Sequence, residues 1–389
     1  MLYYARQFID NEDIDSVVKV LRSNTITQGP KLDEFEKLVS LNVNADFALA
    51  VNSATSALHL SCLALGVSKG DYVWTSSISF VASANCALYC GANIDFVDIE
   101  PNTGLISINK LEQKLKIAHK EGKLPKVIIP VHLAGTSCDM KSIFSLSKKY
   151  GFKIIEDASH AIGGKYCGKS VGSCEYSEIT VFSFHPVKII TTGEGGMALT
   201  NNKKTYEKIK ALRGHGIFSD GFELESPGPW YYEQQFLGYN YRFTEIQAAL
   251  GISQLKKLEM FVSKRNEIAH YYRQKLLNSE FYSLLKVPFD VYSSYHLAII
   301  KIKNSNKILH RNLFEWMRKN KVWVQLHYWP VHLQPYYRKI GFKQGYLPNS
   351  EEYAQSCFSI PLHFKTSIEE QDLVLDLLDK GIKELANNS

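Results

Sequence analysis

The chain has 389 residues, of which 45% are hydrophobic and 22% charged, and its formal net charge is +6 at pH 7. This composition is ordinary for a globular protein, and the length predicts one large domain with a smaller one beside it. The sequence lacks an apolar run of membrane-spanning length and a Lys/Arg block long enough to bind nucleic acid. We therefore expect neither a membrane nor a nucleic acid as a partner. The first residues lack a signal-peptide core, and the seven cysteines lack metal-ligand spacing. We therefore expect a cytoplasmic protein with reduced thiols and no metal site.

Short apolar strands alternate with helices along the first part of the chain. The predicted helices cover residues 10–23, 29–41, 52–65 and 80–90. The predicted strands cover residues 47–51, 71–75, 94–97, 127–131 and 153–156. Strands of this length separated by helices indicate crossover connections, and hence a mostly parallel central sheet flanked by helices.

The pattern changes near residue 255, where long amphipathic helical patterns with many Lys and Glu residues replace the alternation as far as residue 294. The rest of the chain mixes strands, such as the one predicted at 296–300, with helices. We therefore predict a large α/β domain with an N-terminal arm over residues 1–254. A linking helix and a small α+β domain would occupy residues 255–389.

Asp157 and Lys188 are the residues on which the functional interpretation depends. Asp157 ends a buried apolar strand, and Lys188 follows 31 residues later, just before a glycine-rich run at 191–196. A carboxylate that keeps a pyridine nitrogen protonated and a lysine that forms a Schiff base with an aldehyde are what pyridoxal phosphate (PLP) requires. Taken singly, Asp157 could cap a helix and Lys188 could be a solvated loop lysine. Together they predict a PLP site.

The phosphate of such a cofactor needs backbone donors at the N-terminus of a helix. Ser53, Ala54 and Thr55 lie where a strand turns into a helix, and their small side chains would allow an anion to approach. An ordinary Ser/Thr helix cap has the same pattern. Ser183, five residues before Lys188, is a further candidate for a phosphate contact.

Two ring side chains are candidates for contacts with the pyridine ring. Phe80 follows a predicted strand and could lie flat against the ring, although an aromatic residue there is also typical of a core. His160, three residues after Asp157, could reach the ring hydroxyl, and a structural histidine explains it nearly as well.

Four segments together resemble the sugar aminotransferases of the DegT/DnrJ/EryC1/StrS family. They are residues 157–161, 183–188, 192–196 and 238–242, and the resemblance extends over nearly the whole chain. It implies the fold type I architecture of PLP-dependent transferases, with Lys188 as Schiff-base lysine and proton shuttle and Asp157 as partner of the pyridinium. It also implies that Asn240 reaches the phosphate of a neighbouring subunit, so that the functional unit is a homodimer with shared active sites.

The resemblance also implies a nucleotide-sugar substrate and an amino donor, L-glutamate. The residues expected to line the nucleotide-sugar pocket are Tyr4, Asn24, Thr25, Ile26, Thr27, Gln325, Leu326, His327 and Tyr328. Segments 83–89 and 327–337 are similar to the branch that aminates C4 of a UDP-linked 4-keto-6-deoxy-N-acetylhexosamine for pseudaminic acid and flagellin glycosylation. Another UDP- or dTDP-linked 4-keto or 3-keto sugar is the alternative.

Other functions are less consistent with the residues. Family members that dehydrate sugars carry His where this chain has Lys188, and an amino-acid aminotransferase would need an Arg clamp for a second carboxylate. A non-catalytic relative would have no use for a buried acid and this lysine. The diphosphate of a UDP-sugar needs cations, for which Arg6, Lys31, Arg213 and Arg242 are candidates, although a residue of this kind is more often a surface charge.

Overall fold

A computed structural model describes residues 1–387 of the chain. The strands are β1 (Leu2–Tyr3), β2 (Phe47–Val51), β3 (Tyr72–Ser76), β4 (Asn93–Val97), β5 (Val127–Ile129), β6 (Lys153–Asp157), β7 (Lys165–Tyr166), β8 (Lys169–Ser170), β9 (Ile179–Ser183), β10 (Gly196–Thr200), β11 (Ile217–Phe218), β12 (Glu233–Gln234), β13 (Tyr282–Leu284), β14 (Val291–Tyr292), β15 (Ala298–Ile302), β16 (Val322–Trp323) and β17 (Cys357–Ile360). The α-helices are α1 (Asn11–Leu21), α2 (Pro30–Val43), α3 (Ala54–Ala64), α4 (Ala82–Tyr89), α5 (Ile108–Glu121), α6 (Met140–Tyr150), α7 (Lys203–Arg213), α8 (Glu245–Leu255), α9 (Leu258–Lys275), α10 (Lys307–Lys319), α11 (Pro335–Lys339), α12 (Pro348–Ala354) and α13 (Ile368–Asn387).

A seven-stranded sheet in the order β2-β10-β9-β6-β5-β3-β4 forms the centre of the fold. Its strands pair in parallel from β9 through β6, β5 and β3 to β4, and β10 is antiparallel to both of its neighbours. Strands buried on both faces read as continuous apolar runs, and β9 and β10 are buried at every position. The predicted α/β architecture, with a mostly parallel mixed sheet flanked by helices, is confirmed.

The C-terminal part of the chain builds a second, smaller sheet from β13, β15 and β17, all antiparallel. Helices α9, α10 and α13 pack with this sheet around a shared apolar core. The helical pattern expected over 255–294 is broken after α9, because the Ser279 hydroxyl accepts the backbone N–H groups of Phe281 and Tyr282 and the chain turns into β13. The domain boundary near residue 255 stays a prediction.

The first residues of the chain lie against its last third. Strand β1 pairs in parallel with β16, through Leu2 with Val322, and the carbonyl of Tyr4 accepts the backbone N–H of Leu362. Strand β1 therefore lies against the core of the smaller sheet, to which Leu2 belongs. Within residues 1–387, the structure contains no helix with the length and apolar character needed to cross a bilayer.

Candidate active site

The carboxyl ends of β2, β6 and β9 open onto a cavity of about 730 Å³. Parallel strands bring the segments that follow them to one edge of the sheet, which is where α/β folds bind ligands. Of the residues predicted for cofactor and substrate, those that line this cavity are Tyr4, Ser53, Ala54, Thr55, Phe80, Asp157, His160, Ser183, Lys188, His327 and Tyr328. The structure thus brings together residues that lie up to 324 positions apart in the sequence.

The N-terminus of α3 is shaped to receive an anion. The Ser53 hydroxyl caps the helix by accepting the Ser56 N–H, and the first intrahelical bond runs from the Ala57 N–H to the Ser53 carbonyl. The N–H groups of Ala54 and Thr55 precede that bond and lie in the positive end of the helix dipole. The Ser56 hydroxyl donates to the Asn52 side chain over 2.6 Å, which holds the turn in place.

Gly196 of β10 lies against this turn. A Cβ atom built on Gly196 would be 2.4 Å from the backbone nitrogen of Ala54, closer than atoms can approach. The absence of a side chain is therefore what allows the strand to support the start of α3. This gives a physical reason for one glycine of the predicted glycine-rich run.

Asp157 is buried, and its carboxylate accepts three hydrogen bonds. The hydroxyls of Ser83 and Ser159 donate to its two oxygens over 2.5 and 2.6 Å, and the Ser159 N–H donates over 3.1 Å. Hydrogen bonds to a carboxylate stabilise its ionised form. Neither Ser83 nor Ser159 was predicted, because a serine in the first turn of a helix is usually interpreted as part of a cap.

Lys188 is half-buried in the same cavity, on the loop between β9 and β10. Burial lowers its pKa from the ordinary 10.5 to about 8, and the negative charge of Asp157 acts in the opposite direction. The Lys188 N–H donates to the His185 carbonyl, which fixes the turn that carries the side chain. An amine with this pKa is partly neutral near pH 8 and can act as a nucleophile or a base.

Three histidines form a cluster beside Lys188. The ring centroids of His160 and His296 are 4.4 Å apart, and burial lowers the pKa of both rings well below the usual value. Burial also lowers the pKa of His327 to about 3, with a further contribution from the positive charge of Lys188. All three rings are neutral at pH 7, so Lys188 provides the positive charge of this wall.

The hydrogen bonds of His160 define its tautomer. Its Nδ1 accepts the N–H of Ala134 over 3.2 Å, so the proton lies on Nε2, which donates to the Tyr328 hydroxyl over 3.0 Å. Tyr328 then has its own proton free to donate elsewhere. His296 was not predicted, and its Nδ1 is buried without a hydrogen-bond partner among residues 1–387.

Some predicted residues lie away from the cavity of the single chain. Residues 24–27 are exposed, and the carbonyl of Thr27 accepts the N–H of Glu245. Asn240 is also exposed and bridges to Gly214. Gln325 pairs with Ser359 of β17 instead. Leu326 is half-buried and packs against the apolar core between the sheet and α5 and α6.

The candidate cations for a diphosphate differ from one another. Arg213 is buried in an ion pair with Glu36 and cannot serve as the surface charge or the ligand contact that the sequence suggested. Lys31 pairs on the surface with Glu34, one helical turn away. Arg242 is half-buried and pairs through its backbone with the end of β2.

The residues present fit PLP. The start of α3 offers an anion cradle that a side chain at position 196 would fill, Asp157 lines the same cavity as a hydrogen-bonded carboxylate, and Lys188 adds an amine with a lowered pKa. Phe80 lines the cavity with 59% of its surface exposed, which leaves a ring face for stacking. A buried Nδ1 on His296 that lacks a partner adds a polar atom still to be satisfied.

Comparison with known proteins identifies the family of the chain. The model of the DegT/DnrJ/EryC1/StrS aminotransferase family matches residues 7–379, so the chain belongs to that family. It is 39% identical over 378 residues to a UDP-4-amino-4,6-dideoxy-N-acetyl-beta-L-altrosamine transaminase of Campylobacter jejuni, covering 97% of this chain and 96% of that protein. It is 37% identical over 382 residues to an uncharacterized protein of Methanocaldococcus jannaschii, covering 97% of both.

Solved structures with the same fold are also aminotransferases. Helicobacter pylori PseC, described as an aminotransferase involved in the biosynthesis of pseudoaminic acid, superposes with a TM-score of 0.90 at 31% identity, over 98% of this chain and 99% of that one. The PLP form of a putative sugar aminotransferase from Streptococcus pneumoniae superposes with a TM-score of 0.88 at 28% identity, over 98% of both chains. The chain is a PLP-dependent sugar aminotransferase with the fold type I architecture that the sequence predicted.

Gly196→Ala should weaken PLP binding about tenfold or more, because a methyl group inserted against backbone costs roughly 1–3 kcal/mol. The dissociation constant can be measured by titrating apoenzyme with PLP. Gly214→Ala is the matched control, since its Cβ would meet no atom closer than 3.9 Å. Equal affinity in the two variants would contradict the assignment of this turn to the phosphate.

The rate of covalent PLP capture by apoenzyme should rise with pH and level off above about pH 8. Below its pKa of about 8, Lys188 is mostly protonated, and the neutral fraction falls tenfold for each pH unit. Stopped-flow absorbance gives the profile, and Lys188→Ala should show no covalent phase. A midpoint near the ordinary lysine value of 10.5 would be inconsistent with a buried amine.

Proposed function

We propose that the chain transfers an amino group from L-glutamate to C4 of UDP-2-acetamido-2,6-dideoxy-β-L-arabino-hexos-4-ulose. The product would be UDP-4-amino-4,6-dideoxy-N-acetyl-β-L-altrosamine, an intermediate on the way to pseudaminic acid and flagellin glycosylation. The observation that carries the reaction type is the cavity in which Lys188, with its pKa lowered to about 8, faces the hydrogen-bonded carboxylate of Asp157. The named relative of Campylobacter jejuni supports the choice of sugar.

When bound, PLP supplies an electron sink for the carbanion that forms on the amino donor. Asp157 would hold the ring nitrogen, and the N–H groups at the start of α3 would hold the phosphate. Lys188 would accept the Cα proton of the donor at Nζ and later return it, which requires a neutral amine. Burial of Lys188 favours that neutral form.

Tyr328 would orient the ligand rather than exchange charge with it. Burial raises the pKa of its hydroxyl, so Tyr328 remains protonated at neutral pH. Because it accepts from His160, its proton would be available to an oxygen atom of the cofactor or the sugar. Tyr4 lies on the same side, with its ring centroid 4.8 Å from that of His327.

A homodimer with shared active sites would supply what the cavity of one chain lacks. The substrates carry two or more negative charges, while Lys188 is the cation among the described residues that line the cavity. Asn240 and residues 24–27 are exposed, and so are the apolar side chains of Trp230, at 76%, and Leu237, at 79%. A partner subunit that covered these residues would bury the apolar side chains and bring Asn240 to the second cavity.

Another UDP- or dTDP-linked keto sugar is the alternative substrate. The chain is 34% identical, over 386 residues, to the Bacillus subtilis spore coat polysaccharide biosynthesis protein SpsC. That identity is only a few per cent below the identities to the other relatives, and it supports this alternative. Both candidate substrates would use Lys188 and Asp157 in the same way and would differ in the residues that contact the sugar. Only activity measured with each sugar can therefore distinguish them.

The substrate can be tested with the purified holoenzyme, L-glutamate and a panel of UDP- and dTDP-linked 4-keto and 3-keto sugars. We expect glutamate-dependent formation of an amino sugar from the UDP-linked 4-keto-N-acetylhexosamine, detected by mass spectrometry and assigned by NMR. Lys188→Ala is the matched inactive enzyme. Faster amination of a dTDP-linked or 3-keto sugar would establish the alternative, and turnover by Lys188→Ala would remove that lysine from its role.

Mixed dimers test the shared site. Lys188→Ala and Asn240→Ala should each be nearly inactive alone, whereas a mixture should regain about a quarter to half of the activity, because some dimers then contain one intact site. Activity is measured after co-expression of the two variants with different tags. Mixed dimers that stay inactive would show that Asn240 serves its own subunit or none.

A further inference from the structure

Ser83 contacts Asp157 across 74 positions of sequence, through a hydrogen bond of 2.5 Å from its hydroxyl to Oδ2 of the carboxylate. Ser159 occupies the other oxygen, Oδ1, with both its hydroxyl and its N–H. A carboxylate offers about four acceptor positions, so three are filled and one on Oδ2 is left. Asp157 lines the cavity, which is where that last position can find a donor.

We propose that Ser83 is a positioning residue that fixes the Asp157 carboxylate with its free Oδ2 acceptor directed at the ring nitrogen of the cofactor. The proposal rests on the role proposed for Asp157. Ser83 acts through Asp157 and would not touch the cofactor itself. It belongs to α4, the helix that follows Phe80, so this helix would set both the acid and the neighbouring ring face.

The direction of each hydrogen bond around Ser83 follows from chemistry. An ionised carboxylate can only accept, so the single proton of the Ser83 hydroxyl points to Asp157. The hydroxyl of Ser79, 2.6 Å from that of Ser83, must then donate to it. The carbonyl of Phe80 is a weaker competitor for the Ser83 proton, at 3.3 Å and without a charge.

Ser159 and Ser83 hold Asp157 in different ways. Ser159 lies two residues after Asp157, and the hydrogen bond from its N–H to the Asp157 carboxylate closes a local turn. This contact therefore depends only on the chain next to Asp157. Ser83 comes from another element and is fully buried, so it fixes Asp157 relative to the rest of the cavity. Without the Ser83 hydroxyl, Oδ2 would have two free acceptor positions and no preferred direction.

Ser83→Ala should therefore weaken PLP binding by about tenfold or more, as expected for a lost hydrogen bond to a charged group. Ser83→Thr keeps the hydroxyl and should recover most of that affinity. The pH midpoint of the visible absorption band of the bound cofactor should move in Ser83→Ala and stay at the wild-type value in Ser83→Thr. Affinity is measured by titrating apoenzyme, and the band by spectrophotometric pH titration of the holoenzyme.

Ser61→Ala is the matched control. Ser61 is also fully buried on a neighbouring helix, α3, but its hydroxyl donates to the Ala57 carbonyl and does not contact Asp157. It should leave the cofactor affinity and the absorption midpoint unchanged. Ser79→Ala removes the donor to Ser83 and should give a smaller loss of cofactor affinity than Ser83→Ala. It provides a second test if Ser83→Ala does not fold.

Wild-type affinity and an unmoved midpoint in Ser83→Ala would overturn the proposal. Equal impairment of Ser83→Ala and Ser83→Thr would also overturn it, because the hydroxyl would then not be what matters. Asp157→Asn separates this failure from that of the assumption beneath it. If Asp157→Asn binds PLP like the wild type, Asp157 does not hold the ring nitrogen, whatever Ser83 does.

Discussion

The placement of a half-buried amine, Lys188, and a buried carboxylate, Asp157, in one cavity is the constraint on which the rest of this structure depends. Strands β6 and β9 are parallel neighbours in which Asp157 pairs with Val181, two residues before Ser183, and the loop after β9 carries Lys188 into the cavity that Asp157 and Ser183 line. Burial destabilises the charged amine, while the carboxylate is stabilised by three hydrogen bonds. The cavity thus holds an amine whose pKa is lowered to about 8 together with a hydrogen-bonded carboxylate.

The central part of this arrangement could be predicted from the sequence because it is local. A strand that ends in Asp157, a loop that carries Lys188 and a small-residue turn at 53–55 each lie within a few residues, and the strand at 47–51 was placed with the bounds that the structure has. The contacts that support these residues could not be predicted, since Ser83 reaches Asp157, and His296 reaches the cavity, only through tertiary packing. Burial lowers the pKa of these histidines, and the residues next to them in the sequence do not indicate that they will be buried.

Electrostatics explains why the cavity contains imidazoles rather than more cations. A second positive charge beside Lys188 would compete with the ligand for the Asp157 carboxylate. Neutral histidines supply hydrogen-bond donors and acceptors without that effect, as the directed bond from His160 to Tyr328 illustrates. Positive charge for an anionic nucleotide must then come from residues other than those that line the cavity of the single chain.

The attachment of the first strand to the last third of the chain has a consequence for biogenesis. Tyr4 is held at the cavity by the backbone of Leu362, and β1 by β16, so this wall cannot close until the ribosome has released almost the entire polypeptide. The large sheet, in contrast, needs no residue beyond β10. A nascent chain would therefore possess the phosphate cradle and Lys188 long before it could enclose a ligand. Permanent retention of the vitamin-derived cofactor would be one of the last events in maturation.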